Sequence, residues 1–284
     1  MIQIRHRETG EVLQTIDAES LVGADLRDMR LNGADLHDAD LTAADLRFSD
    51  LVEADLRGAK LSRAVLQGVS LYNADLRGAD LSRAKLGSDN PSNAAMLSGA
   101  NLRGANFSRA DMRNAEIRRS DLREAYMCNA DMRGTDFHGS NLCGVKARDA
   151  LFIKANLREA DLCNADLRDS HLNDANLVKA SMHHADLSSR YAGGFTVLNL
   201  ANLEGADLRG ANLHNISAED TNFRNANLSG VDLASAVLGG AILRRANVTN
   251  ADFDGVELAS VTMEFANFSK AKNANIPTYK KNLR

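Results

Sequence analysis

Tryptophan is absent from this chain of 284 residues, aromatic side chains make up only 5%, and proline occurs twice. Close-packed interiors need volume, and without large rings a wide globular core is hard to fill. The 44% of hydrophobic residues must therefore line something narrow. Cysteine is scarce as well, with three copies and no framework spacing, which predicts a reducing, cytoplasmic setting. No stretch of 18 apolar residues occurs, and no N-terminal apolar run ends in a small-residue cleavage site. Membrane spanning and secretion are not expected. A net charge of -4 argues against a broad basic surface, so direct nucleic-acid binding is not expected either. The phosphate-cradling, zinc-protease, nucleophile-elbow and dinucleotide motifs are all missing. The sequence thus predicts neither an enzyme nor a cofactor.

What is present is a period of five. Leucine occupies every fifth position without exception from Leu21 to Leu86. The phase slips by one, and Leu, Met, Phe or Ile continues from Leu97 to Leu187, with Ala147 the exception. A second slip starts a run from Leu198 to Phe268, in which Ala218 is the weak member. Ala206-Asp207-Leu208-Arg209-Gly210 shows the unit in its commonest form. Five matches neither the helical period nor that of a long flat strand. Within a unit, however, Ala and Leu lie two apart and share one face of a short extended segment. The Asp or Asn between them points the other way. The last two positions, rich in Gly, Ser, Asn and Arg, suit a turn. Extended piece and turn in endless alternation make a solenoid with stacked Leu and Ala ladders.

These A-(D/N)-L-x-x units resemble the pentapeptide-repeat family. The resemblance implies an all-β fold, a right-handed quadrilateral parallel β-helix with four units to a coil, about 20 residues. About twelve coils follow for this length. Two interruptions also resemble the Qnr-type fluoroquinolone-resistance branch, whose members are dimeric rods with an acidic surface that stands in for DNA phosphates. That likeness implies DNA gyrase or topoisomerase IV as a partner. Against it, duplex DNA carries one charge per ~1.7 Å, and a chain at -4 falls far short. Arg118, Arg119, Arg244 and Arg245 would have to stay off the contacting face.

The ends and breaks divide the chain. Residues 1–16 read as a β-hairpin cap turning at Glu8-Thr9-Gly10-Glu11, residues 17–269 as the β-helix, and 270–284 as a C-terminal cap or tail. Both prolines, Pro91 and Pro277, fall outside the periodic runs, as a strand reading requires. The interruptions at 87–96 and 188–197 have two parses. Each is two units plus one residue, or one unit plus a six-residue loop. On the first parse, two adjacent faces come out acidic and two nearly neutral.

Candidate contact residues are apolar side chains at outward positions: Leu151 and Ile153 around inward Phe152, then Val237, Ile242 and Phe265. The C-terminal group points to a homodimer through that end. Pro91, Tyr191 and Phe195 are the corresponding candidates in the interruptions, since loops on a rigid scaffold carry recognition. Cys143, Cys163 and His183 each follow a central residue, 20 apart, with His184 beside the last. One outward column would bring them together for a soft metal, a disulfide, or no purpose at all. A straight ladder is a poor tetrahedron, and no fourth ligand closes it. The sequence as a whole predicts a non-enzymatic scaffold that binds a protein partner through a face or loops.

Overall fold

The computed structural model describes residues 1–189 and 196–280. The chain forms two compact units, Met1–Val145 and Lys146–Arg284.

In the first unit, strands β1 (Ile2–His6) and β2 (Val12–Ile16) form an antiparallel hairpin, with Ile2 opposite Ile16. β1 also pairs antiparallel with β3 (Ala34–Asp35) through Arg5 and Asp35. Ile4 is thereby buried at 2% exposure, and Arg7 Nη1 reaches the Glu53 carbonyl at 2.9 Å. The hairpin thus covers an edge that would otherwise offer unpaired backbone groups.

Beyond it, the five-residue unit is realised bond by bond. The outward residue pairs in parallel with the one 20 positions on, as in Asp25 with Asp45 and Asp35 with Asp55. Leu26 N–H donates to the Asp45 carbonyl at 2.8 Å, and Asp45 N–H to the Ala24 carbonyl at 2.9 Å. Ala54, Leu56, Ala74 and Leu76 are buried, forming continuous inward ladders. Each turn closes by a bond from an Ala N–H to the Leu carbonyl three residues back, 3.0 Å for Ala34 and Leu31. Its second central residue has φ near +60°, as a type II turn requires; Gly78 (+66°), Asn73 (+56°) and Ala43 (+56°) all take this role.

The preference for Asp or Asn at the outward position has a local cause. The first turn residue is held by that side chain: Thr42 N–H donates to Asp40 Oδ1 and Val52 N–H to Asp50 Oδ1, both at 3.2 Å. This is the Asx-turn chemistry of short acidic and amide side chains. Where Ser or Thr replaces inward Ala, its hydroxyl donates to a backbone carbonyl, as Ser49 does to Leu46 at 2.6 Å. Among the described residues, no buried side-chain nitrogen or oxygen lacks a partner.

The interruption in this unit resolves the two parses. Lys85 pairs with Asp111, and Met96 with Ser70, each 26 positions apart. The break is therefore one unit plus six residues. Gly87 and Ser88 still bond to the next coil, Gly87 N–H on the Asp111 carbonyl at 2.8 Å and Ser88 N–H on the Arg113 carbonyl at 3.1 Å. Ala95 N–H closes the turn on the Leu86 carbonyl at 2.8 Å, so the insertion is Asp89–Ala94. It contains a short 3-10 helix, Pro91–Asn93, capped by Asn90, and Asp89 pairs with Arg113. Counting the break as two units misplaces every later residue by one column, and the face charges derived that way do not hold.

The second unit repeats the scheme. Asp166 pairs with Asp186, and Asn202 with Asn222. His171 pairs with Val197, again 26 positions on. Residues 190–195, including Tyr191 and Phe195, lie outside the described residues. The ladder continues past 269, because Lys272 still pairs with Asp252. A 3-10 helix at Thr278–Lys280 follows, and Lys280 Nζ donates to the Val261 and Leu258 carbonyls at 2.7 and 3.1 Å.

Candidate interaction surfaces

Because the interior is filled by the repeat, recognition falls to the outward position and the two turn positions. The outward position and the first turn position lie two residues apart on one face. Arginine at the first turn position accordingly folds back on the preceding Asp. Arg57 Nε and Nη2 donate to the two oxygens of Asp55 at 2.8 and 2.5 Å. Arg27 grips Asp25 the same way, Arg77 grips Asp75, Arg123 grips Asp121, Arg133 grips Asp131 and Arg209 grips Asp207. At Asp25, Asp55, Asp121 and Asp207 the guanidinium hydrogen bond is the main cause holding the carboxyl below its usual range, Asp25 falling to about 2. At Asp111 burial pushes the other way, and the Arg113 fork outweighs it. The Asp-Leu-Arg motif thus carries almost no net charge outward. No reading of the sequence by motif catalogue finds these forks; the i, i+2 geometry of an extended segment does.

The apolar candidates sit in the second unit. The pairing runs Leu151, His171, Val197, Ser217, Val237, so Leu151 and Val237 share a column. Leu151 and Ile153 are half-buried, and Phe152 between them is fully buried. Val237 is 48% exposed, and Ile242, in the adjoining column, is half-buried. Phe265 is 59% exposed at a left-handed turn position (φ +62°), beside the Arg245 guanidinium at 5.8 Å. It borders a cavity of 280 Å³ also lined by Met263, Phe268, Ile276 and Lys280. Inward Met263 and Phe268 are only half-buried. Phe48 and Leu200, missed by the sequence reading, are exposed at turn positions of the same left-handed kind. An apolar side chain at such a site forgoes both the easy backbone of glycine and burial. Pro91 is exposed on the first unit's insertion.

Of the Cys/His set, Cys143 belongs to the first unit and Cys163 and His183 to the second. Within the second unit, Asn164 N–H meets the His183 carbonyl at 3.1 Å, so Cys163 and His183 do lie on neighbouring coils. His183 Nδ1 lies 3.0 Å from Ser181 Oγ. A different group, Asp35, His37 and Asp55, places three ligand atoms within 4.8 Å, but Asp55 is already held by Arg57. Asp35 lies 2.5 Å from His37 Nδ1 and raises the imidazole's affinity for its proton.

The stacked five-residue ladders define a class of repeat protein, the β-helical solenoid. The chain belongs to the pentapeptide-repeat family: the family model for pentapeptide repeats matches residues 20–58, 49–87, 93–127, 114–146, 155–189, 201–240 and 236–272. Among solved structures it is similar to HetL, a pentapeptide repeat protein involved in heterocyst differentiation regulation from the cyanobacterium Nostoc sp. strain PCC 7120. Identity is 30% over 87% of this chain and 90% of HetL, with a TM-score of 0.36. A trypsin-treated form of QnrB1, a plasmid-mediated fluoroquinolone resistance protein, shows 19% identity over 81% of this chain and 93% of its own, with a TM-score of 0.43. A pentapeptide repeat protein from the thylakoid lumen of Arabidopsis thaliana shows 21% identity over 51% and 69%, with a TM-score of 0.17. Curated proteins gave no match. Among the described residues, no helix is long and apolar enough to cross a membrane.

Proposed function

We propose that this chain is a non-enzymatic, cytoplasmic scaffold that binds a protein partner through outward side chains of its solenoid. The right-handed sense and the about twelve coils belong to this proposal through the family resemblance. The observation that carries it is the apolar set around the last coils, where Phe265 is 59% exposed beside a 280 Å³ cavity. Exposed apolar patches of this kind are contact surfaces. A second copy of the chain is the occupant proposed there, giving a homodimer through the C-terminal end. Sedimentation of the purified protein, compared with Phe265→Asp, tests it. The reading expects a dimer converted to monomer; a wild-type protein monomeric at ~100 µM, a concentration at which weak interfaces still form, would remove it.

Modulation of DNA gyrase or topoisomerase IV is the alternative, from the resemblance to the Qnr-type branch. The forks weigh against it. Asp55, Asp75 and Asp121 share one column, and each carboxylate is matched by an arginine. A supercoiling assay with and without a quinolone decides the matter, and no effect at micromolar protein discards the alternative. A metal site at Cys143, Cys163 and His183 is the third reading. Zinc analysis together with a thiol count on the unfolded protein tests it: bound zinc with three thiols supports a metal, whereas a single thiol means that two cysteines are joined.

A further inference from the structure

In the first unit, arginine has two fates, decided by which turn position it occupies. At the first position it pairs with a carboxylate, the preceding Asp as above or one on the next coil, as Arg103 does with Glu124 at 3.2 Å and Arg118 with Asp136 at 2.6 Å. At the second, the left-handed backbone aims the side chain away from its own coil. The sequences Leu61-Ser62-Arg63, Leu81-Ser82-Arg83 and Phe107-Ser108-Arg109 place Ser first and Arg second, with φ of +60°, +58° and +61°. These three turns stack directly: Arg63 N–H donates to the Ser82 carbonyl, and Arg83 N–H to the Ser108 carbonyl, both at 3.0 Å. Strand spacing of ~4.8 Å makes the column about 10 Å long. All three arginines are exposed, with half-buried serines alongside. Among the described residues, none of the three has an ion-pair or hydrogen-bonding partner for its guanidinium. A groove of 400 Å³ lined by Thr42, Ser62, Arg63, Asp80, Ser82 and Arg83 runs along it.

The neighbouring charges complete the picture. Lys85 is exposed in the adjoining column, and Lys60 lies 3.6 Å from Asp40. The nearby carboxylates are engaged and fixed. Asp80 accepts from Ser82 N–H at 3.0 Å and Asn106 Nδ2 at 3.1 Å, Asp45 is forked by Arg47, and Asp111 by Arg113. A chain whose net charge is negative therefore presents a concentrated basic line.

The geometry points to this Ser-Arg column as a docking site for an extended acidic segment of a partner protein, its carboxylates on Arg63, Arg83 and Arg109 and its backbone on the serine hydroxyls. This deepens the scaffold reading and rests on it. A peptide is favoured over nucleic acid because a duplex, with one charge per ~1.7 Å, must lay phosphates over Asp45, Asp80 and Asp111. A segment of mixed polarity avoids them, and Arg forks bind carboxylates bidentately.

Fluorescence anisotropy of a labelled deca-glutamate peptide with the full chain at low salt tests the site. The triple variant Arg63→Gln/Arg83→Gln/Arg109→Gln is compared with Arg27→Gln/Arg57→Gln/Arg77→Gln, which changes net charge equally but removes only forked arginines. Binding weakened roughly tenfold in the first, and by less than about twofold in the second, is the expected result. Equal weakening in both, no binding to wild type, or tighter column-dependent binding of a single-stranded oligonucleotide overturns the proposal. Self-association through the C-terminal end is read separately by sedimentation; if it persists while the peptide fails to bind, the column falls and the scaffold stands.

Discussion

At the level of single residues, two inward positions divide the packing between them. Ala and Leu alternate because one must be small enough to let the other reach across. Ala79 is fully buried and has no room for a longer side chain. Ala79→Leu should cost about 1–3 kcal/mol or more in urea unfolding, since overpacking displaces neighbours that are already close-packed. The turn makes the opposite demand. Ala43 holds φ at +56°, a conformation that costs an L-residue roughly 1–2 kcal/mol and glycine little. Ala43→Gly should therefore stabilise by about 0.5–1 kcal/mol, the rest being offset by the freer unfolded chain. The forks add a dependence on pH. Carboxyls such as Asp25, at about 2, are depressed in the folded state, so their contribution is complete above the unfolded value near 4 and is lost as pH falls through the folded one. Thermal midpoints should drop between about pH 5 and pH 2.5, and less steeply in Arg27→Gln/Arg57→Gln, where Asp25 and Asp55 have lost their partners.

At the level of the element, the repeat unit and the places of its interruptions were legible in the sequence, and the build of the interruptions was not. Leu every fifth position leaves one arrangement in which Leu and Ala both point inward, and the pairing of Asp25 with Asp45 follows it. A spacing of eleven from Leu86 to Leu97 fits two parses equally, because counting cannot tell a bulge from a loop. The backbone decides it by holding Ser88 on the Arg113 carbonyl and Ala95 on the Leu86 carbonyl, which leaves Asp89–Ala94 as the insertion. Similarly, the period assigns each Arg its turn position but not what that position does; the left-handed backbone of the second one separates an Arg that projects from one that forks. Deleting Asp89–Ala94 should leave a regular coil, Leu86-Gly87-Ser88-Ala95-Met96-Leu97. Stability should change by less than about 1 kcal/mol, the exposed Arg113–Asp89 pair lost being offset by a shorter loop. Unfolding curves of the deleted and intact proteins check this, and loss of cooperative unfolding would mean that the insertion is part of the coil.

For the whole molecule, the same uniformity that reveals the fold hides the function. A sequence that spends its inward positions on ladders and its outward Asp on turn bonds has few exceptions, and the proposals above rest on these: Phe265, Val237, and the Arg63–Arg83–Arg109 column. Those exceptions were only partly visible. Val237 and Phe265 stand out as apolar letters in polar positions, whereas Arg63 looks like any other arginine until its turn position is known. Membership of the family fixes the repeat and says little about a partner.

Coil register underlies all of these assignments, and cross-linking in the full chain tests it most directly. With Cys128→Ser, Cys143→Ser and Cys163→Ser as background, Asp75→Cys/Asn101→Cys places two thiols on paired residues, within the ~4.4–6.8 Å Cα range a disulfide spans. Mild oxidation should join that pair readily and leave Asp75→Cys/Met96→Cys, the pair that counting the insertion as two units would bring together, unjoined. Efficient bonding of the second pair and not the first would contradict the register, and with it every column described above.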